Sequence, residues 1–309
     1  MTVLMLELNE VNFDHVREYI KLGKLPNLAA LLNNHALIET TSEKNYEELE
    51  PWIQWVTAHT GLPLAEHGVF RLGDIVDTDL PQIWEVLEAN GLKVGAISPM
   101  NAKNRCNNAA FFMPDPWTPT AVTGSPLMKH LSDAVSQTVN DNAKGRITMR
   151  SALTLIVGLA AYARPSNYAV YLKIVGSILR RQSWASPLLL DQLLADLFVR
   201  KVRREKPNFA TLFLNAAAHI QHHYMFNAKI YSGPFSNPAW YVNATADPVL
   251  DVYTLYDRIV GQVQAIFPAA RLMLATGLHQ DPHKELTFYW RLKNHADFLK
   301  QARIDFDRV

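Results

Sequence analysis

Cysteine is nearly missing from this chain of 309 residues, in which Cys106 is the only example. A single cysteine excludes an internal disulfide framework and a cysteine-rich zinc site, and it suits a reducing compartment. Any metal site in this chain would therefore have to be built from His, Asp, Glu or Asn side chains.

An excess of charge of one sign is also missing. The chain has 30 basic and 29 acidic residues, and its formal net charge is +1. Such a balance creates no general field that attracts nucleic acid or anionic lipid. We therefore expect no nucleic-acid partner, and we expect any anion site to be local.

Long hydrophobic runs are lacking as well. The longest apolar stretch, Ser151 to Ala163, ends at Arg164-Pro165, and it is far shorter than the ~20 residues of a spanning helix. It predicts a buried or interfacial helix. The first residues enter a strand pattern directly, without the basic and apolar segments of a signal peptide, and this predicts a cytoplasmic protein.

Strand and helix patterns alternate along much of the chain. The segments with the pattern of buried parallel strands are Val3 to Leu8, Lys93 to Ser98, Phe209 to Asn215 and Arg271 to Thr276. The helical patterns that precede three of them are Leu80 to Asn90, Leu188 to Arg204 and Asp251 to Ile266. This alternation predicts an α/β fold with a doubly wound, mostly parallel sheet flanked by helices. Ligands of such sheets bind beyond the carboxyl ends of the strands.

Residues 120–205 interrupt the alternation, because they have helical periodicity and no convincing strand. We expect a helical insertion or cap there, between the two parts of the α/β core at 1–119 and 206–309. The aromatic and basic residues of the insertion have two interpretations, a surface that faces a lipid or a partner, and plain core packing, which we favour. They are Tyr162, Tyr168, Tyr171, Trp184, Lys173, Arg180 and Arg181.

Histidines are concentrated after one predicted strand, at His219, His222 and His223. On a helix, His219 and His223 would share one face, which lets two imidazoles reach one divalent ion. The alternative is that one or two of them cap a helix or satisfy buried carbonyl groups.

Three further polar segments could contribute to a site. The loop Thr276 to His283 follows the last predicted strand and carries His279 and Asp281, although an ordinary polar turn would look similar. Glu7, Asn9 and Glu10 end the first strand and offer oxygen ligands or an acid–base pair. The acidic run Glu47, Glu48 and Glu50 precedes Pro51, where capping of a helix is a competing interpretation.

Several short motifs occur in a particular order along the chain. They are Gly23-Lys24-Leu25-Pro26-Asn27-Leu28, then Thr60-Gly61-Leu62-Pro63 with His67-Gly68-Val69, and finally Gln221-His222 after a strand. In this order they resemble the alkaline phosphatase superfamily, specifically its type I phosphodiesterase and nucleotide pyrophosphatase branch. The resemblance implies an alkaline-phosphatase-like core and covers most of the chain outside the helical insertion.

The chain departs from that pattern at the catalytic positions. Asn9 stands where the family has its first metal-binding Asp, Ala218 stands where the Asp-x-x-x-His motif begins, and Pro51 occupies the position of the nucleophile. Thr276-Gly277-Leu278 covers the usual Asp-His-Gly. The resemblance therefore implies an altered metal site.

The resemblance implies a divergent metal-dependent hydrolase of phosphate esters that acts on a small molecule with zinc or manganese. The candidate metal ligands are Glu7, Asn9, His219, His222, His223 and His279. The candidate catalytic residues are Glu10, Glu50 and Thr57. Two alternatives remain open, a non-catalytic descendant that binds a ligand or partner, and a membrane-surface enzyme that docks through residues 120–205.

Overall fold

The computed structural model describes residues 1–42, 45, 48–140, 147–286, 292 and 294–307. Five strands form one sheet in which every neighbouring pair is parallel. The strands are β1 (Val3–Leu8), β2 (Val94–Ile97), β3 (Phe111–Met113), β4 (Phe209–Leu214) and β5 (Arg271–Ala275). Their order across the sheet is β3-β2-β4-β1-β5. The predicted α/β class, its parallel sheet and four of its strands are confirmed.

The described residues contain twelve α-helices around this sheet. The first six are α1 (Phe13–Lys21), α2 (Pro26–Asn34), α3 (Pro51–Thr60), α4 (Leu64–His67), α5 (Ile83–Ala89) and α6 (Pro126–Asn140). The others are α7 (Met149–Tyr162), α8 (Tyr168–Leu179), α9 (Ala185–Glu205), α10 (Ala216–Tyr224), α11 (Pro248–Ile266) and α12 (His295–Gln301). The three predicted helices correspond to α5, α9 and α11.

Strand β3 was not predicted, because three residues are too few to show a strand period. It pairs with β2, where Gly95 lies opposite Phe111. A Cβ atom at Gly95 would lie 2.3 Å from the Phe111 ring. Gly95 therefore leaves room for the aromatic side chain of the edge strand.

The two faces of β1 pack against different helices. Leu4, Leu6 and Leu8 join the main core, to which α9, α10 and α11 contribute. Met5 faces the opposite side and packs in a second cluster with Trp55 of α3. Because side chains alternate along a strand, Glu7 shares the face of Met5.

The described part of residues 120–205 is mainly helical, as the sequence indicates, and Thr123 forms an isolated β-bridge with Phe112. Helix α6 packs on α7, and both α7 and α8 pack on α9. Helix α9 in turn lies against β2 and β4, so the last helix of this region belongs to the layer that covers the sheet. No helix in the described part of the chain is long and apolar enough to cross a membrane.

Candidate functional site

The carboxyl ends of β1, β4 and β5 meet at one edge of the sheet. The Asn9 N–H donates to the Leu214 carbonyl at 3.0 Å, and the Glu10 N–H donates to the Thr276 carbonyl at 3.0 Å. The residue after β1 is thereby joined to the end of β4, and the next residue is joined to the end of β5. Three of the polar segments singled out in the sequence therefore converge.

Glu10 and His222 form the closest acid–imidazole pair at this edge. Oε2 of Glu10 lies 3.0 Å from Nε2 of His222. Glu10 adopts a left-handed backbone with φ of 58°, and its carbonyl accepts a hydrogen bond from Nε2 of Gln221 at 2.8 Å. The Tyr253 hydroxyl holds Gln221 through its Oε1 at 2.9 Å. The backbone of Glu10 is therefore fixed on both sides, by Gln221 and by the Thr276 carbonyl. This holds the side chain of Glu10 in place beside His222.

Glu50 completes a cluster of three titratable groups. The adjacent Glu10 carboxylate is the main cause that raises the pKa of His222, and the charge of Glu50 raises it further. Burial raises the pKa of Glu50, and the charge of Glu10 adds to that effect. Glu10 is almost completely buried, whereas 48% of the His222 side chain is exposed. The cluster therefore has a buried carboxylate behind an imidazole that solvent or substrate can reach.

Asn9 is held between two neighbours. Its Oδ1 accepts a hydrogen bond from Nε1 of Trp55 at 2.8 Å, and its Nδ2 donates to Oδ1 of Asn215 at 2.8 Å. Asn9 is buried. Both ends of the amide therefore already serve interactions within the protein.

Glu7 lies away from the open edge, beneath α3. Both of its carboxylate oxygens are 3.3 Å from Nε2 of His59, and the Thr211 hydroxyl donates to Oε1. Glu7, His59 and Thr211 are all buried. Glu7 thus belongs to an internal polar group that joins β1, α3 and β4.

His219 and His223 lie on one face of α10, as their spacing indicates. Their ring centroids are 4.9 Å apart. Burial and the neighbouring histidines lower the pKa of His219 to about 4. Nδ1 of His223 lies 3.0 Å from the Tyr241 hydroxyl. His219 thus contacts His223, His223 also contacts Tyr241, and His222 contacts Glu10.

His279 and Asp281 form a second pair beyond β5. Nε2 of His279 lies 3.5 Å from Oδ2 of Asp281, and Nδ2 of Asn12 donates to Oδ1 of Asp281 at 3.1 Å. His15 belongs to the same region, since burial lowers its pKa while Gln221 and Asp281 oppose that effect. Beside His15 lies a small cleft of about 210 Å³, which is also lined by Tyr231, Ser232 and Pro282.

Asn12, His15 and Tyr253 were missed in the sequence. The first two could have been identified from the sequence, because they lie shortly after Glu10 along the chain. Tyr253 gave none, since an aromatic residue in an apolar helical pattern is typical of the core.

Thr57 points toward α4. Its Oγ1 is 3.1 Å from Nε2 of His67, and Nδ1 of His67 accepts the N–H of Val69 at 3.0 Å. A neutral His67 therefore carries its proton on Nε2 and donates it to Thr57. In that tautomer His67 does not act as a base toward the hydroxyl.

The start of α3 also differs from what the resemblance implies. Pro51 is the first residue of the helix and Glu50 is its N-cap, so the position of the family nucleophile carries no hydroxyl. Glu47 lies outside the described residues.

The six candidate metal ligands are divided among separate places. Glu7 is enclosed with His59 and Asn9 with Trp55, whereas the more exposed His222 lies against Glu10 and the exposed His279 lies near Asp281. Within the described residues, no group of three or more His, Cys, Asp or Glu is placed so that it could hold a metal ion. The donor set therefore does not fit a divalent centre built from these six residues.

The chain matches no protein-family model, and no curated protein is detectably similar to it in sequence.

Proposed function

We propose that this protein is a hydrolase of small phosphate esters in which His222, oriented by Glu10, activates the attacking water. The observation that carries the proposal is the 3.0 Å contact between Oε2 of Glu10 and Nε2 of His222 at the carboxyl edge of the sheet. Parallel α/β sheets bind their ligands at this edge.

The pairing assigns a role to each nitrogen of His222. Nε2 of His222 lies against the Glu10 carboxylate, so Nδ1 is the nitrogen that can accept a proton from water. A nearby carboxylate also stabilises the imidazolium that forms when this proton is taken. The half-exposed ring and the buried Glu10 suit these two roles.

Glu50 is the second carboxylic group of the proposed site. Its raised pKa favours the protonated form over a wider pH range than is usual for Glu. A protonated carboxyl beside His222 can donate to a phosphoryl oxygen or to a leaving group.

The phosphate ester as substrate, and the alkaline-phosphatase-like core, are supported by the motif resemblance. A zinc or manganese ion remains a prediction of that resemblance. Because the six candidate ligands do not converge, the proposed water activation uses His222, Glu10 and Glu50 alone.

A non-catalytic descendant is the second candidate. It is favoured by Asn9, whose amide is occupied by Trp55 and Asn215 where the resemblance implies a metal-binding carboxylate. In such a descendant, the same polar edge would bind a ligand without turning it over.

Hydrolysis of p-nitrophenyl phosphate and bis(p-nitrophenyl) phosphate, measured with and without EDTA, tests the enzyme proposal. General base catalysis contributes roughly 100-fold or more, so His222→Gln and Glu10→Gln should each lower kcat by about that factor. His130→Gln is the matched control, because His130 is exposed on α6.

The outcomes separate the two candidates. Loss of activity in the two site variants, with activity kept in His130→Gln and in EDTA, supports the proposal. Loss of activity in EDTA would show that a metal carries the reaction. No turnover of either ester by the purified protein contradicts the enzyme proposal and favours the binding descendant.

A further inference from the structure

Helix α7 carries an apolar stripe whose side chains are each more than half exposed in the described structure. Ser151 and Gly158 are its buried residues. Met149, Leu153, Ile156 and Val157 are exposed large hydrophobic residues, and their spacing of four, three and one places them on one side of the helix. Soluble proteins rarely leave such a contiguous stripe without a partner.

Helix α8 repeats this arrangement. Tyr168, Leu172, Val175 and Leu179 recur at intervals of four, three and four, and all are exposed. The buried side of the helix holds Tyr171 and Ile174. Leu172 and Leu179 are 73% and 78% exposed, which is unusual for leucine in the middle and last turns of a packed helix.

The aromatic residues of this region are not the ones that form the exposed surface. The Tyr171 hydroxyl donates to Asp196 at 3.0 Å, and Nε1 of Trp184 donates to Asp251 at 3.0 Å. Both residues are buried, so the core-packing interpretation is confirmed for them. The exposed stripes consist of aliphatic residues together with Tyr168.

Charge in this region has one sign. The segment from residue 147 to residue 190 contains five basic residues and no Asp or Glu. Arg164 turns inward, toward Asp196 and Gln262. The other four, Arg150, Lys173, Arg180 and Arg181, are exposed. The near-zero charge of the whole chain therefore conceals a local basic surface beside the apolar stripes.

We infer that α7 and α8 form a docking surface for an anionic lipid bilayer. Interfacial helices combine an apolar face, which enters the boundary between head groups and acyl chains, with basic residues that contact anionic head groups. Helix α9 supports both α7 and α8, and it also packs on the sheet, so docking would hold the whole α/β core at the membrane surface. This inference does not depend on the proposed hydrolysis.

Vesicle flotation tests the inference with the full chain. Wild-type protein should float with vesicles of phosphatidylcholine that contain phosphatidylglycerol and should bind pure phosphatidylcholine much less. The variant Lys173→Gln/Arg180→Gln/Arg181→Gln should lose affinity for the anionic vesicles on the order of 100-fold. The variant Leu172→Gln/Leu179→Gln should lose at least roughly 10-fold.

Matched controls use exposed residues elsewhere on the chain. Lys24→Gln/Lys284→Gln/Lys300→Gln removes the same charge from other surfaces, and Ile38→Gln removes an apolar side chain that is 82% exposed. Both controls should float like wild type, and circular dichroism checks that every variant is folded.

Three results would overturn the inference. The first is failure of the wild-type protein to float with anionic vesicles. The second is a loss of binding that is as large in the controls as in the α8 variants. The third is a dimer in sedimentation that Leu172→Gln/Leu179→Gln dissociates without any vesicle binding, which would show that a second copy covers the stripes.

Discussion

Asn9 is a neutral residue at the position where the motif resemblance implies a metal-binding aspartate, and its two neighbours explain the difference. Its amide oxygen accepts a hydrogen bond from Trp55, and its amide nitrogen donates one to Asn215. An aspartate at this position would have no donor for Oδ1 of Asn215. The neutral side chain is therefore the one that its two neighbours require.

Replacing Trp55 with Phe should destabilise the fold. The variant removes the indole N–H and leaves Oδ1 of Asn9 buried without that donor, which typically costs about 1–3 kcal/mol. Urea unfolding measures the free energy of unfolding. Trp240→Phe is the control, because Trp240 is 76% exposed and its replacement should change little. Equal stability of Trp55→Phe and wild type would contradict the role assigned to this hydrogen bond.

The pKa of His222 should lie above the ordinary value for histidine, and Glu10 should be the main reason. The adjacent Glu10 carboxylate favours the imidazolium form and raises the pKa of His222, so Glu10→Gln should lower that pKa. A histidine NMR titration of wild type and Glu10→Gln measures this change directly. If His222 is the base, hydrolysis should increase as the pH rises through its pKa, and the rising limb should move to lower pH in Glu10→Gln. An unchanged His222 titration in the variant would contradict the pairing.

At the scale of elements, the motif Gly23 to Leu28 has a packing role. Pro26 begins α2, and Nδ2 of Asn27 donates to Asp257 of α11 at 2.8 Å. The Leu28 N–H donates to the other oxygen of Asp257 at 2.8 Å. The motif thus joins the N-terminus of α2 to α11, so its presence in a sequence indicates fold more directly than it indicates catalysis.

Two glycine-to-alanine changes should have opposite effects on stability. A Cβ atom at Gly261 of α11 would lie 2.3 Å from Oδ1 of Asn27. Gly261→Ala should therefore displace Asn27 and cost about 1–3 kcal/mol. A Cβ atom at Gly176 of α8 would meet nothing within 4 Å, so Gly176→Ala should gain about 0.5–1 kcal/mol from helix propensity. Urea unfolding of both variants checks the pair. Stabilisation by both would show that α2 and α11 do not approach each other this closely.

At the scale of the whole molecule, Asp191 connects three helices that cover the sheet. It belongs to α9, and its Oδ2 accepts hydrogen bonds from the Ala216 N–H of α10 at 2.8 Å and from the Tyr256 hydroxyl of α11 at 2.6 Å. Burial raises the pKa of Asp191 from 3.8 to about 6, although both hydrogen bonds oppose the shift. Ionisation of Asp191 near neutral pH therefore lowers the stability of the folded state.

The stability of the protein should depend on pH through this group. Between pH 3.8 and about 6, the folded chain holds a proton on Asp191 that the unfolded chain has released. The free energy of unfolding should therefore fall as the pH rises through this window, by about 3 kcal/mol in total. Asp191→Asn lacks this titration, so the variant should gain stability relative to wild type as the pH rises.

Urea unfolding at a series of pH values measures the difference between wild type and Asp191→Asn. Asp305→Asn is the control, because it replaces an exposed Asp with the same amide. A difference between wild type and Asp191→Asn that is constant across the window would contradict the raised pKa.

The sequence alone determined the α/β class, four of the five strands and the edge at which polar segments converge. These features follow from local patterns, because neighbouring residues suffice to show the apolar run of a strand or the period of a helix. Strand β3 was not predicted from the sequence, because three residues cannot display a period.

Only the tertiary structure decided which side chains meet at that edge. Glu7 lies in a strand that is buried on both faces, so alternation could not indicate its direction, and it faces His59 beneath α3. The rotation of α3 turns Thr57 toward His67, and the left-handed backbone of Glu10 accompanies its contact with His222. Glu10 and His222 are 212 positions apart, and such a pairing depends on how β1, α3 and α10 pack against one another. That packing is set by the volumes of many distant side chains, and no local pattern contains it.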